Sequence, residues 1–295
     1  MSNARAFRTR PRLTPFRALR ITCRHVVLAL LAAFWLIPIL WLVVTSFGVD
    51  KGPNLSTFFP QAYTLDQYRE ILAPGGDTVN QFPRWFMNTL IIAVFTCLIS
   101  TLFVLMVAYA MSCMRFPARK PMMNVAIILN LFPGFLSMIA VYFILKEIGL
   151  TNSLTGLIIV YSAGSGMGYL IAKGFFDTVS KSLRESAYLE GANEFTVFWR
   201  IIIPLSKPII VYTVINAFLA PWMDFILASL MLNSGVSSQK TVALGLFSMV
   251  DKVNRNNYFA QFCAGGVIVS IPISILFVIM QKFYVEGITC GSVKG

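Results

Sequence analysis

Six long apolar blocks separated by short polar segments organise this chain. They run at about 26–47, 85–114, 122–145, 154–176, 209–232 and 262–284. At roughly 20 residues per span, each is long enough to cross the hydrocarbon core of a bilayer as an α-helix. The second block, about 30 residues and so about 45 Å, exceeds a ~30 Å core and predicts tilt or extension beyond the membrane. The expected fold is therefore all-α and integral to the membrane, a bundle of six transmembrane helices occupying 26–284.

The polar segments divide into two kinds. Residues 1–25 form a basic tail with Pro11 and Pro15 and no apolar period, expected to touch anionic lipid headgroups. The loop 48–84 is rich in Gly, Pro and Asn, and its amphipathic piece 65–72 predicts a short interfacial helix. The connection 146–153 is so short that it predicts a tight helical hairpin, whereas 233–261 is longer and ends in a polar run. In that run Asp251, Asn254, Arg255, Asn256 and Asn257 are candidate contacts for an external partner, and a solvated connector is the other reading. The segment 179–208 reads as two helical pieces. Ser180 or Ser182 lies near the start of the first and Gly191 breaks it; Asn193 caps the second, with Phe195, Phe198 and Ile201 on an apolar face. Pro204 and Pro208 end it. Two hinged pieces presenting small and aromatic side chains suit insertion into a partner's cleft.

Composition fixes the solvent. Of 295 residues, 57% are hydrophobic and 12% charged, and the mean hydropathy is +0.74; such a chain dissolves in lipid. The net charge of +12 sets topology and does not indicate nucleic acid. With a cytosolic N-terminus, 17 of the 24 Lys and Arg fall on inside segments, which places both termini in the cytosol. The first block outruns a signal-peptide core of roughly 7–15 residues and lacks a small-x-small cleavage site, so a retained span is expected. Cys97 and Cys263 lie in spans, and Cys23, Cys113 and Cys290 on the reducing side, so the five are read as packing residues.

Several chemistries lack their parts. No Gly-Lys pair exists for a phosphate-binding loop, Asp224 is the sole acid inside a predicted span, and the single histidine, His25, offers no metal set. Ser165 has Ala163 and Met167 where a nucleophile elbow needs glycines. Gly164 and Gly168 form a GxxxG spacing, read as a helix-packing face, with a kink beside a pathway as the alternative. No catalytic residue and no cofactor of its own are expected.

Within the cytosolic segment, Glu185, Ala187, Gly191, Ala192, Phe198, Ile201, Pro204 and Pro208 fall in fixed order between the fourth and fifth blocks. They resemble the EAA loop of binding-protein-dependent ABC importer permeases, E-A-A-x-x-D-G-A-x5-F-x2-I-x2-P. Ser186 replaces the middle Ala and Glu190 the Asp. The length, the six blocks and the C-terminal 285–295 tail, Gly-rich and ending Val-Lys-Gly, resemble the MalG-type sugar permeases. Trp222-Met-Asp-Phe225 resembles that group's fifth span, with Met223 where Asn is common.

The resemblance implies a half-transporter in a bacterial inner membrane. Its partners would be a homologous second permease, an ATPase dimer that holds ATP and Mg, and an extracytoplasmic sugar-binding protein. By the same resemblance the Glu185–Pro208 loop docks on the ATPase, with Phe198 and Ile201 filling apolar pockets there, and the tail reaches between the ATPases. Asn88, Ser162, Ser165 and Asn216 become candidate sugar-hydroxyl partners, Tyr161, Tyr212 and Trp222 candidate ring-stacking groups, and Asp224 a further pathway candidate; helix packing is the other reading of each. A stand-alone six-span carrier or channel is the remaining alternative.

Overall fold

A computed structural model of the chain describes residues 15–53, 57–73, 80–164, 166–233 and 235–291, with side chains beyond Gln281 outside that description. The first half of the basic tail, Ser165, and the end of the Gly-rich tail thus lie outside the described residues. Among those described, the helices in chain order are α1 (Pro15–Thr45), α2 (Asp66–Leu72), α3 (Phe82–Cys113), α4 (Arg119–Asn130), α5 (Gly134–Glu147), α6 (Leu154–Ala163) and α7 (Gly166–Phe176). They continue with α8 (Lys181–Leu189), α9 (Glu194–Val197), a π-turn at Phe198–Ile202, α10 (Ile203–Leu205), α11 (Lys207–Met223), α12 (Ile226–Met231), α13 (Val242–Met249) and α14 (Arg255–Gly291).

Three of the six expected spans are continuous helices long and apolar enough to cross a membrane: Leu19–Thr45 within α1, all of α3, and Arg255–Gln281 within α14. Helix α1 begins at Pro15, so the second half of the supposed aperiodic tail is helical; proline at the first helical position costs nothing, because its missing N–H would have no intrahelical acceptor. Helix α14 likewise starts seven residues before the expected sixth span and runs to Gly291, taking in the beginning of the predicted tail.

The other three spans are broken, each for a local reason. Between α4 and α5 the axis turns by 103°; Pro133, at φ −56° and ψ 117°, supplies no N–H and stands at the start of α5. Between α6 and the later part of α7 the axis turns by 41° just past Gly164. The fifth span stops at Met223 and resumes at Ile226. There the Asp224 carboxylate accepts hydrogen bonds from the N–H groups of Leu227 (3.2 Å) and Ala228 (3.1 Å), taking up donors that the new helix start leaves without intrahelical partners.

Helix α3 is the hub, packing against α11, α7, α6 and α13, while α14 packs on α11, α2 and α1. At one end of α3, Ile71, Phe82, Trp85, Trp222 and Met249 form a core. At the other end, Val104, Tyr109, Phe176, Phe198 and Ile202 form a second. The first is tight because Gly245 lets α13 lie on the Trp85 ring: a Cβ there would come within 2.0 Å of the indole. The predicted interfacial helix forms as α2, but it is folded onto the bundle. Gln67 and Ile71 are buried and Gln67 Nε2 donates to the Gly48 carbonyl at 3.1 Å.

Candidate functional site

The segment 179–208 opens with α8, which ends in a Schellman turn. The Ala192 N–H donates to the Ala187 carbonyl (2.9 Å) and the Gly191 N–H to that of Tyr188 (3.0 Å). This closure needs a left-handed residue, and Gly191 supplies it at φ +84°. No atom lies within 4 Å of where a Gly191 Cβ would be, so nothing in this chain crowds the position. Asn193 caps α9 as expected, its Oδ1 accepting the Thr196 N–H at 2.8 Å.

The segment is fastened to the end of α3. Tyr109 donates its hydroxyl to the Glu194 carboxylate at 2.5 Å and packs in a tilted contact against Phe198, ring centroids 5.1 Å apart. Arg184 Nη1 donates to the Cys113 carbonyl at 3.1 Å. Ser112 Oγ and Lys173 Nζ both donate to Asp177 at 2.6 Å. Burial alone would raise the Asp177 carboxyl, but these two bonds and the Lys173 and Arg119 charges outweigh it and hold it below the usual carboxylate range.

Glu185, Glu190 and Gly191 are exposed, and Ala187 and Ala192 are half-buried against the second core. Pro204 is exposed but lies within α10, which runs on to Leu205, and Pro208 is half-buried in the first turn of α11. Phe198 corrects the reading that it fills a partner's pocket: it is 6% exposed and belongs to this chain's own core, and Ile201 packs against the same cluster. The most exposed apolar groups of the segment are instead Leu189, at 90%, and Phe195, at 71%. Leu189 is legible as the last apolar residue before the Gly191 turn, whereas the spacing places Phe195 on the same face as Phe198.

A cavity of about 550 Å³ lies between α3, α5, α6 and α11. It gathers four of the predicted pathway residues, Tyr161, Tyr212, Asn216 and Asp224, and adds Thr96, Ser100, Ser137 and Thr213, which sequence reasoning missed although Thr96 and Ser100 stand four apart. Tyr161 donates its hydroxyl to Asp224 at 2.5 Å. Asn216 is exposed and lines the cavity, and its Nδ2 donates to the Tyr212 carbonyl at 2.8 Å. Gly164 and Gly168 also line this cavity, and a Cβ on Gly164 would approach only its own helix, so the kink reading replaces the packing face.

Three pathway candidates lie elsewhere. Asn88 Nδ2 is spent on the carbonyls of Ser238 (2.9 Å) and Lys240 (3.0 Å), tying α3 to the loop before α13. Trp222 is 4% exposed in the first core against Phe86 and Phe218. Ser162 is buried on the opposite side of α6, toward Phe103 and Tyr169.

In the loop between α13 and α14, Asp251 Oδ1 accepts the N–H groups of Val253 and Asn254, and Asn254 Nδ2 donates to the Ser248 carbonyl at 2.8 Å. These two residues build the turn and are not free for a partner, while Arg255, Asn256 and Asn257 are exposed in the first turn of α14. The tip is Val253, 81% exposed, an apolar residue that the polarity of the run concealed.

Comparison with known proteins agrees with this geometry. A sequence profile described as "Binding-protein-dependent transport system inner membrane component" matches residues 105–289. The galactooligosaccharides transport system permease protein GanQ of Bacillus subtilis (strain 168) is 34% identical over 95% of this chain and 97% of that protein. The maltose/maltodextrin transport system permease protein MalG of Escherichia coli (strain K12) is 31% identical over 94% of this chain and 96% of its own length. A chain from the crystal structure of a bacterial ABC transporter that imports the acidic polysaccharide alginate superposes with a TM-score of 0.77 at 21% identity, over 93% of this chain and 100% of that one, and supports the fold.

Proposed function

This chain belongs to the family of binding-protein-dependent transport system inner membrane components, and from that premise we propose that it is a permease subunit of an ATP-driven oligosaccharide importer. A homologous second permease completes the pathway, an ATPase dimer carrying ATP and Mg supplies the energy, and an extracytoplasmic binding protein delivers the sugar. Both termini and the α8–α10 segment face the cytosol. The chain performs no covalent chemistry.

The observation that carries this reading is the α8–α10 segment itself: an exposed Leu189 and Phe195 flank a glycine turn, and the base of that turn is tied to α3. Closure of the ATPases against α8 displaces a body that moves with α3, because Tyr109 and Arg184 link them at short range. Helix α3 also carries Thr96 and Ser100 into the cavity wall, so the same displacement reshapes the pathway. The breaks at Gly164 and Asp224 let α6 and α11 follow without unfolding. Sugar hydroxyls meet Asn216 and Asp224, and Tyr161 and Tyr212 offer ring faces, in a half-site that a second permease closes.

Co-purification tests it. The full chain, tagged and extracted from its native membrane in mild detergent, is expected to bring down one second permease and one ATPase. Recovery of the chain alone or as a homo-oligomer would overturn the proposal.

A further inference from the structure

Two hollows beside helix α3 and past its end lie apart from the pathway cavity. The first is an apolar groove of about 530 Å³ on the side of α3 away from the pathway cavity. Ile99, Phe103 and Val107, four residues apart and so on one face, form one wall, with Ile159 and Tyr169 opposite. Phe103 is 56% exposed and Ile159 45%. The second is a polar cleft of about 740 Å³ past the end of α3, bounded by α7 and α8.

The two adjoin along the same helices. On α3 and its continuation only five residues, about 7.5 Å, separate Val107 in the groove from Ser112 in the cleft. On α7, Tyr169 in the groove and Phe176 in the cleft stand two turns apart on one face. The cleft carries Arg115, Arg119, Lys181 and Arg184. Its acids are Asp177, already paired with Lys173 at 2.6 Å, Glu194, bonded by Tyr109, and Glu185. Among the described residues none of the four cations is in an ion pair; Arg184 and Arg119 donate only to backbone carbonyls. Cations thus outnumber acids at the mouth of a groove whose lining is mostly apolar.

We propose that this composite furrow binds one anionic phospholipid, an acyl chain in the groove and the phosphate of the headgroup among Arg115, Arg119 and Lys181. A cationic cluster between helices at the cytosolic surface recognises such headgroups, and apolar contact with the tail adds area without selecting charge. The bound lipid lies against α8 and the end of α3, so its headgroup charge bears on the segment that docks the ATPase. The cytosolic placement rests on the topology proposed above; the binding itself requires no transport.

The test uses the full chain in nonionic detergent, with bound lipid read by native mass spectrometry during titration. Phosphatidylglycerol should bind at least tenfold more tightly than phosphatidylcholine with the same acyl chains. The variant Arg115→Gln/Lys181→Gln should lose about 25-fold, at roughly fivefold per cation near an anionic surface, while Arg115→Lys/Lys181→Arg retains binding. Ile159→Trp, which fills the groove, should weaken both lipids alike, and an unchanged unfolding temperature in detergent shows that the fold is kept. Equal retention of the two lipids, or no response to the charge variants, overturns the proposal. So does displacement of the lipid by glycerol phosphate or inorganic phosphate at matched concentration, which would make the cleft a soluble-anion site.

Discussion

Gly191 can serve its own turn or make room for a partner, and two substitutions separate these roles. Its φ of +84° is left-handed, which costs an ordinary L residue roughly 1–2 kcal/mol, equivalent to about a 5- to 30-fold shift in the local equilibrium. Asn tolerates that conformation much better than Ala. Space ranks the two the other way, because Asn is larger, and within this chain there is nothing within 4 Å of a Cβ at this position. If only the Schellman turn mattered, Gly191→Ala would be the more damaging change and Gly191→Asn nearly silent. If the ATPase approaches the glycine closely, Gly191→Asn should be inserted in normal amount and unfold within about 0.5 kcal/mol of the unmodified chain, yet reduce binding-protein-stimulated ATP hydrolysis more than tenfold and more than Ala does. The assay is ATP hydrolysis by the reconstituted complex, alongside thermal unfolding of the chain in detergent. Hydrolysis by Gly191→Asn at the unmodified rate, with Gly191→Ala impaired, would refute the close approach and leave the glycine a purely local role.

Other consequences can be checked with the same preparations. Phe198→Ala should lower chain stability by about 3–5 kcal/mol, as expected for an emptied aromatic site, whereas Leu189→Asp should leave stability within about 0.5 kcal/mol and weaken ATPase retention in a pull-down. The lowered Asp177 carboxyl gives a signed pH effect: the stability it contributes is complete above the ordinary carboxylate pKa of about 4 and is lost as pH falls through the lower folded value. Asp177→Asn should therefore flatten the acid limb of the unfolding curve below about pH 4, followed by intrinsic fluorescence.

How much of this was visible in the sequence depended on how local its cause is. The glycine break at Gly191 and the Asn193 cap were legible because each is decided within a few residues. The chain breaks at Pro133 and Asp224 were equally local, yet the surrounding apolar run masked them: mean hydropathy measures whether a segment enters lipid, and is blind to one missing N–H or one capping carboxylate. Phe198 and Phe195 could not be separated by periodicity, since both lie on the apolar side of a short helix and only the position of Tyr109, some 85 residues away in sequence, decides which one is covered. Asn88 and Trp222 failed for the same reason. Asn88 meets its carbonyl partners about 150 residues away, and Trp222 is enclosed by Phe86 from another helix. The polar lining of the cavity was found where one span supplied a recognisable aromatic or amide, and missed where Thr96 and Ser100 looked like ordinary small residues of a membrane helix.

The most direct measurement is sugar uptake into proteoliposomes containing this chain, its co-purified permease and the ATPase, with the binding protein outside and radiolabelled galacto- or malto-oligosaccharide as cargo. Uptake is predicted to require enclosed ATP and Mg as well as the external binding protein, and to fall to background with Gly191→Asp. Uptake by this chain alone, indifferent to ATP and to that substitution, would contradict the account.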